Sequence, residues 1–365
     1  MTERHEYRPA VGVTAQPAFG ERTGAKVDLH IGVFEDGRWS YLYGEDTEYA
    51  GAVPDLEAVR DAARRAREGE LGPVVAGPMM KPPVWTWEVP LYFWFGGIAA
   101  GSSFVALACD LAGDERSARV ARAVALGALA PSTALLILDL GRPGRFYNML
   151  RIVKPRSPMS MGAWALTAFG NLGAAAVGAD LLRRRRLARG LGAANALVGG
   201  YLGSYTGVLL AATAVPVWGR SRLFLGPIFV STATATGAAA CRLALTATGL
   251  APDHPTRLAL ARVETGAMAA ELALSQLNER RLGPLSEVLE QGRSGTLFKA
   301  AKWAVRAGVG AQVARRRSPV FEHVASVLYL VAGLLFRYAW VGAGRASARD
   351  DRHVAEMARS RRHGH

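Results

Sequence analysis

The sequence predicts an all-α polytopic membrane protein of about eight transmembrane helices with a small soluble N-terminal extension. Three observations predict it. Apolar runs of bilayer length recur between about residues 85 and 345, and about 20 such residues cross the roughly 30 Å hydrocarbon core. Arginines collect between these runs, as in inter-helix loops. Charge is also split unevenly. Residues 1–80 hold 9 Lys/Arg and 14 Asp/Glu, a net of −5, while the remainder holds 35 basic and 16 acidic residues, a net of +19. This is the pattern of an acidic soluble tail on a basic membrane body. A high pI also suits nucleic-acid binding, but arginines that flank apolar runs argue for a lipid bilayer and against nucleic acid.

The chain divides into a soluble acidic extension and linker (1–80), a transmembrane domain (81–345) and a polar tail (346–365). Within the extension, Lys26 to Tyr43 alternates loosely, through Val27, Ile31, Val33, Trp39, Tyr41 and Tyr43, and predicts a hairpin. Pro54 to Gly69 reads as a short helix bounded by those two residues, and Gly72 to Pro83 as a Pro/Gly linker. About 80 residues with few large aliphatics make a marginal core, so packing against a partner or the membrane body is expected.

Helices are predicted near 88–110, 118–140, 160–182, 191–213, 223–248, 257–278, 297–313 and 320–342. They are rich in Gly and Ala, as in Gly96-Gly97-Ile98-Ala99-Ala100-Gly101. Small residues let helices approach closely where the hydrophobic effect no longer drives association. The seventh segment admits two readings, because Lys299, Lys302 and Arg306 share one face. It either lies on the membrane surface or spans with its basic face meeting acids in the bundle interior. Arg183-Arg184-Arg185-Arg186, Arg315-Arg316-Arg317 and the acidic tail favour termini outside a bacterial inner membrane by the positive-inside rule. Met1 to Ala10 has no apolar core, so no cleavable signal is expected.

The residues limit the chemistry. Of seven histidines only His323 falls in a predicted helix, so a bis-His haem is not expected. The two cysteines, Cys109 and Cys241, lie apart in apolar runs with no CxxC. No iron–sulfur cluster or metal is therefore expected on this chain, and both thiols read as packing residues. Electrons for any redox role must come from a partner, with a diffusible membrane carrier as substrate.

Some charges nevertheless stand where lipid would penalise them. Arg257, Glu264 and Glu271 recur every seven residues in the sixth helix, on one face. Two carboxylates there cost several kcal/mol unpaired. They either make ion-paired helix contacts, with Arg306, Lys302 and Arg242 as candidate partners, or relay protons. Trp85 and Trp87 read as an interfacial aromatic belt. Glu88 and Tyr92, four apart, share a face, and a carboxylate beside a phenol can hydrogen-bond a quinone carbonyl and exchange its proton. Tyr205-Thr206 sits between Gly203 and Gly207, which leave room for a flat ligand. Leu138-Asp139-Leu140-Gly141-Arg142-Pro143-Gly144-Arg145 closes the second apolar run with fixed charge at a lipid boundary.

The chain resembles the NrfD/polysulfide-reductase type of integral membrane subunit. The resemblance rests on Leu91-Tyr92-Phe93-Trp94-Phe95-Gly96-Gly97-Ile98-Ala99-Ala100-Gly101, Leu138-Asp139-Leu140-Gly141-Arg142-Pro143, Ser157-Pro158-Met159-Ser160-Met161-Gly162-Ala163-Trp164, Tyr205-Thr206-Gly207-Val208-Leu209-Leu210 and Leu335-Phe336-Arg337-Tyr338, in that order. It implies two four-helix bundles and a menaquinone or ubiquinone site. It also implies a four-cluster iron–sulfur partner, often joined to a molybdopterin oxidoreductase. Tyr205 matches the quinone-site tyrosine of the family, and Glu88 falls near its polar contacts on the first helix. The acidic tail and the basic seventh segment depart from the pattern.

The expected function is the membrane anchor and quinone/quinol-binding subunit of a respiratory oxidoreductase, exchanging electrons with the iron–sulfur partner. Glu88, Tyr92 and Tyr205 would contact the quinone head. Asp139 and Arg142 would shape the adjacent wall, with the arginines of that turn receiving the partner, and Glu264 and Glu271 would relay protons. A secondary transporter and a structural anchor without quinone chemistry are the rival classes.

Overall fold

The computed structural model describes residues 11–14, 28–31, 60, 64, 80, 82–140, 142–315, 318, 320–350 and 353–354. The chain divides into two compact units, Met1–Val84 and Trp85–His365. In the first, strand β1 (Val11–Thr14) pairs antiparallel with β2 (Asp28–Ile31), Val11 opposite Ile31 and Thr14 opposite Asp28. β2 falls within the stretch expected to form a hairpin, but its partner lies upstream of that stretch. The rest of Lys26 to Tyr43 lies outside the described residues. So does the expected Pro54–Gly69 helix, apart from the helical Arg60 and Arg64.

The second unit is helical, with eight long helices: α1 (Glu88–Leu111), α2 (Glu115–Asp139), α3 (Pro158–Leu181), α4 (Arg185–Ala211), α5 (Arg222–Ala247), α6 (Pro255–Leu282), α7 (Gly292–Ala314) and α8 (Val320–Arg349). Local chemistry sets their ends. The Asp114 carboxylate accepts from the Ser117 amide at 3.0 Å and caps α2, after Gly113 has turned the chain at φ +78°. Ser157 caps α3, with Pro158 in its first turn. His254 caps α6, with Pro255 likewise placed. An amide left open at a helix start is satisfied in each case.

Four helices, α1, α2, α5 and α8, are long and apolar enough to cross a membrane. The other four have 23 to 28 residues. In α6 the low hydropathy has a structural cause: Arg257, Glu264, Glu271, Ser275 and Asn278 all turn inward and are buried.

α1 packs on α2, α4 and α5; α3 packs on α4; α5 also packs on α6 and α8; and α7 packs on α8. The α1–α5 crossing is closest at Gly101 and Gly237, where a Cβ on either would overlap the other helix's backbone. Small residues at such a crossing give van der Waals contact at backbone distance. Cys109 and Cys241, both free and buried, pack in one cluster with Val105, Ala121 and Leu245.

Candidate functional site and buried charges

At one end of α1, α2, α3 and α4 lies a cavity of about 130 Å³. Tyr92, Phe93, Gly96 and Gly97 line it from α1, Ser132, Leu136 and Asp139 from α2, Gly162 and Leu166 from α3, and Leu202, Tyr205, Thr206 and Leu209 from α4. The walls are mostly apolar, and the few polar groups converge, as in small-molecule sites generally. Among the described residues neither the Tyr92 nor the Tyr205 hydroxyl has a hydrogen-bond partner, and the Asp139 carboxylate has neither a donor nor a cation within reach. Local packing fixes the rings. Tyr205 lies against the Gly162 backbone so closely that a Cβ there would overlap its ring. Tyr92 meets Phe93 edge-on at 4.5 Å, and the Ser132 hydroxyl donates to the Tyr92 carbonyl at 2.9 Å, tying α1 to α2 beside Pro131.

The cavity brings Tyr92, Asp139 and Tyr205 together, but not Glu88 or Arg142. Glu88 sits one turn before Tyr92, half-buried, and accepts a hydrogen bond from the Thr86 hydroxyl. Arg142 is exposed at the start of the 3₁₀ turn Pro143–Leu150 and makes no ion pair with Asp139. That turn meets the cavity through Met149 instead. Trp87 is exposed, as a belt residue should be. Trp85 differs: it lines the cavity and stacks on the buried Trp218 at 4.9 Å.

Glu264 and Glu271 lie outside the lining, fully buried on α6. Glu264 pairs with Arg242 of α5 at 2.8 Å and accepts from Ser326 of α8 at 3.0 Å. Arg242 also donates to Ser326 at 2.9 Å, to Gln312 of α7 at 3.3 Å and to the Glu322 carbonyl. Arg257 donates to the Glu322 carboxylate at 2.9 Å. Of the three cations expected near these acids, Arg242 is therefore the one that pairs. Lys302 goes to Glu279 at 2.7 Å, and Arg306 is exposed.

Glu271 is held differently. Ser275 donates to one of its oxygens at 2.7 Å, while the other has no hydrogen-bond partner among the described residues. On α8, the Arg337 Nε donates to the Phe93 carbonyl at 3.1 Å, and among the described residues its Nη2 has no hydrogen-bond partner. The same Nη2 would lie 2.6 Å from a Cβ on Gly97. Arg337 thus backs the cavity wall at Phe93 and Gly97. Sequence reasoning placed it only within a family motif and missed this position.

A second buried cluster was also missed. At the opposite end of α1, Arg122 of α2 grips Asp180 of α3 with two hydrogen bonds of 2.6 and 3.0 Å and Asp110 of α1 with one of 2.6 Å. The available signal was an acid set inside the apolar run Ala108-Cys109-Asp110-Leu111.

A family model described as "Polysulphide reductase, NrfD" matches residues 77–277. The match takes in every residue lining the cavity and both Glu264 and Glu271, and stops before α7 and α8. No curated protein matches the chain.

Proposed function

The chain belongs to the NrfD polysulphide reductase family, and from that premise we propose that it is the quinone-reactive membrane subunit of a respiratory oxidoreductase. One observation carries the reading: two phenol hydroxyls and one carboxylate, without hydrogen-bond or ion-pair partners among the described residues, line an apolar cavity at a helix-bundle end. Such polar groups are costly where water is scarce; a ligand with two carbonyl oxygens would accept from the two phenols, and its reduced, dihydroxy form would donate to the carboxylate.

The residues present fit a quinone ring. Phe93, Leu166, Leu202 and Leu209 offer flat apolar contact, and Gly96, Gly97 and Gly162 leave backbone-level space. Menaquinone and ubiquinone share these requirements. When bound, the quinone supplies two-electron, two-proton redox chemistry. The Tyr92 and Tyr205 hydroxyls would donate to its oxygens and fix its orientation. Asp139 would hold or release a proton at its carboxylate. Glu88 acts one turn away, on the approach from the helix start. Arg142, exposed on the adjacent turn, serves docking of an iron–sulfur partner subunit, to which a molybdopterin subunit would attach. Glu271 and Glu264 would carry protons between the cavity and the far half of the bundle.

Tyr205→Phe tests the assignment. It removes one hydrogen bond and keeps the ring, so quinone-coupled turnover should fall about tenfold, the equivalent of about 1.4 kcal/mol. Artificial-acceptor activity of the peripheral subunits should stay unchanged. Unchanged activity in both assays would return the chain to a purely structural anchor.

A further inference from the structure

We propose that the outer face of α7 is an intramembrane docking surface for a transmembrane helix of another polypeptide, one that carries carboxylates about two turns apart. The argument begins with depth. α7 runs antiparallel along α8 for its whole length. A Cβ on Gly342 would meet the Ser294 hydroxyl at 2.5 Å, Phe298 packs edge-on against Phe336 at 5.3 Å, and a Cβ on Gly308 would meet Tyr329 at 2.6 Å. α8 is long and apolar enough to cross a membrane, so a helix lying along it occupies the same depth. These contacts set Trp303 level with the middle of α8.

That level carries charge on the outside. Trp303 is 66% exposed, and Lys299 and Arg306 flank it on the same exposed face. Each cation lies about two turns from the nearer end of α7, too far in for the snorkelling that relieves charges near helix ends. Among the described residues neither has a carboxylate within ion-pair distance. Lys302 occupies Glu279 at 2.7 Å, and Arg306 only covers the Trp303 ring at 5.1 Å. Two unpaired cations facing hydrocarbon near mid-depth would cost several kcal/mol, so something of opposite charge covers them. A second copy of this chain does not fit: the carboxylates of the eight helices that lie away from helix ends are Glu264 and Glu271, both fully buried. Seven residues separate Lys299 from Arg306, about 10 Å along the axis, which sets the spacing of the partner's acids.

The test places a photoreactive benzoylphenylalanine at position 303 of the full chain in its native membrane. The expected result is an adduct with another membrane polypeptide, mapped to a transmembrane segment bearing Asp or Glu. Its yield should drop at least tenfold when Lys299→Gln and Arg306→Gln are combined, and persist with Lys299→Arg and Arg306→Lys. An adduct with a second copy, labelling of lipid alone, or indifference to charge removal would overturn the proposal. So would reaction of Trp303→Cys with a membrane-impermeant maleimide, which would show an aqueous face. None of these readouts measures quinone turnover, so their failure leaves the quinone reading untouched.

Discussion

The phenol ring of Tyr205 rests on the bare backbone of Gly162, so the shape of the cavity depends on the absence of one methyl group. Gly162→Ala should push the ring off its position, with about 1–3 kcal/mol of overpacking. Quinone-coupled turnover should fall about tenfold or more while the peripheral subunits keep their artificial-acceptor activity. Gly178→Ala on the same helix meets nothing within 4 Å and serves as the control, with both activities preserved.

Arg242 and Glu264 form a pair in which each is buried and the rest of each side chain is already engaged. Removing one partner strands the other, at about 3–5 kcal/mol. Glu264→Leu and Arg242→Met should each lower the Tm of the solubilised complex markedly. The double variant should lose less than the sum, which a double-mutant cycle measures.

Glu271→Gln should behave otherwise. Among the described residues its carboxylate has no cation at contact distance, and glutamine keeps an acceptor for Ser275. Stability should change by no more than about 1 kcal/mol, while quinone-coupled turnover slows because an amide cannot relay a proton. A large fall in Tm at unchanged turnover would make Glu271 a packing residue.

Asp114, in the turn before α2, gives a pH signature. Burial pushes its carboxyl up, but hydrogen bonds from Ser117 and Thr256, with His254 nearby, outweigh this and hold it below the usual 3.8. The unfolded chain therefore binds this proton more readily. The stabilisation is complete above the ordinary value and is lost as pH falls through the lowered one. Asp114→Ala should cost about 1 kcal/mol near neutrality, as an N-cap loss. The gap in Tm between variant and wild type should close in strong acid.

Much of the helical architecture was legible because apolar runs separated by arginine-rich loops recur along the chain, although only four of the long helices among the described residues are apolar enough to cross a membrane. All eight predicted segments correspond to a long helix, with ends shifted by several residues where caps such as Asp114, Ser157 and His254 decide them. Tyr92, Asp139 and Tyr205 were legible as polar groups in apolar surroundings. What lay hidden was pairing across helices. The α6 acids could be put on one face, but the choice of Arg242 over Lys302 and Arg306 depends on how α5 and α7 rotate against α6. Periodicity within one helix does not encode that. For the same reason Arg142 does not line the cavity. Its neighbour Asp139 lies on α2 and faces inward, while the turn begun by Arg142 faces out and presents Met149 to the cavity. Lys299, Lys302 and Arg306 shared a face on the helical wheel, yet among the described residues only Lys302 finds an acid, because α6 borders one side of that face.

The most direct test of the central claim is photolabelling of the complex in membranes with an azido-quinone, mapped by peptide mass spectrometry and competed with the natural quinone. The account predicts competable label on the peptides holding Tyr92, Asp139 and Tyr205, reduced by Gly162→Ala. Label confined to other helices, or undiminished by excess quinone, would contradict it.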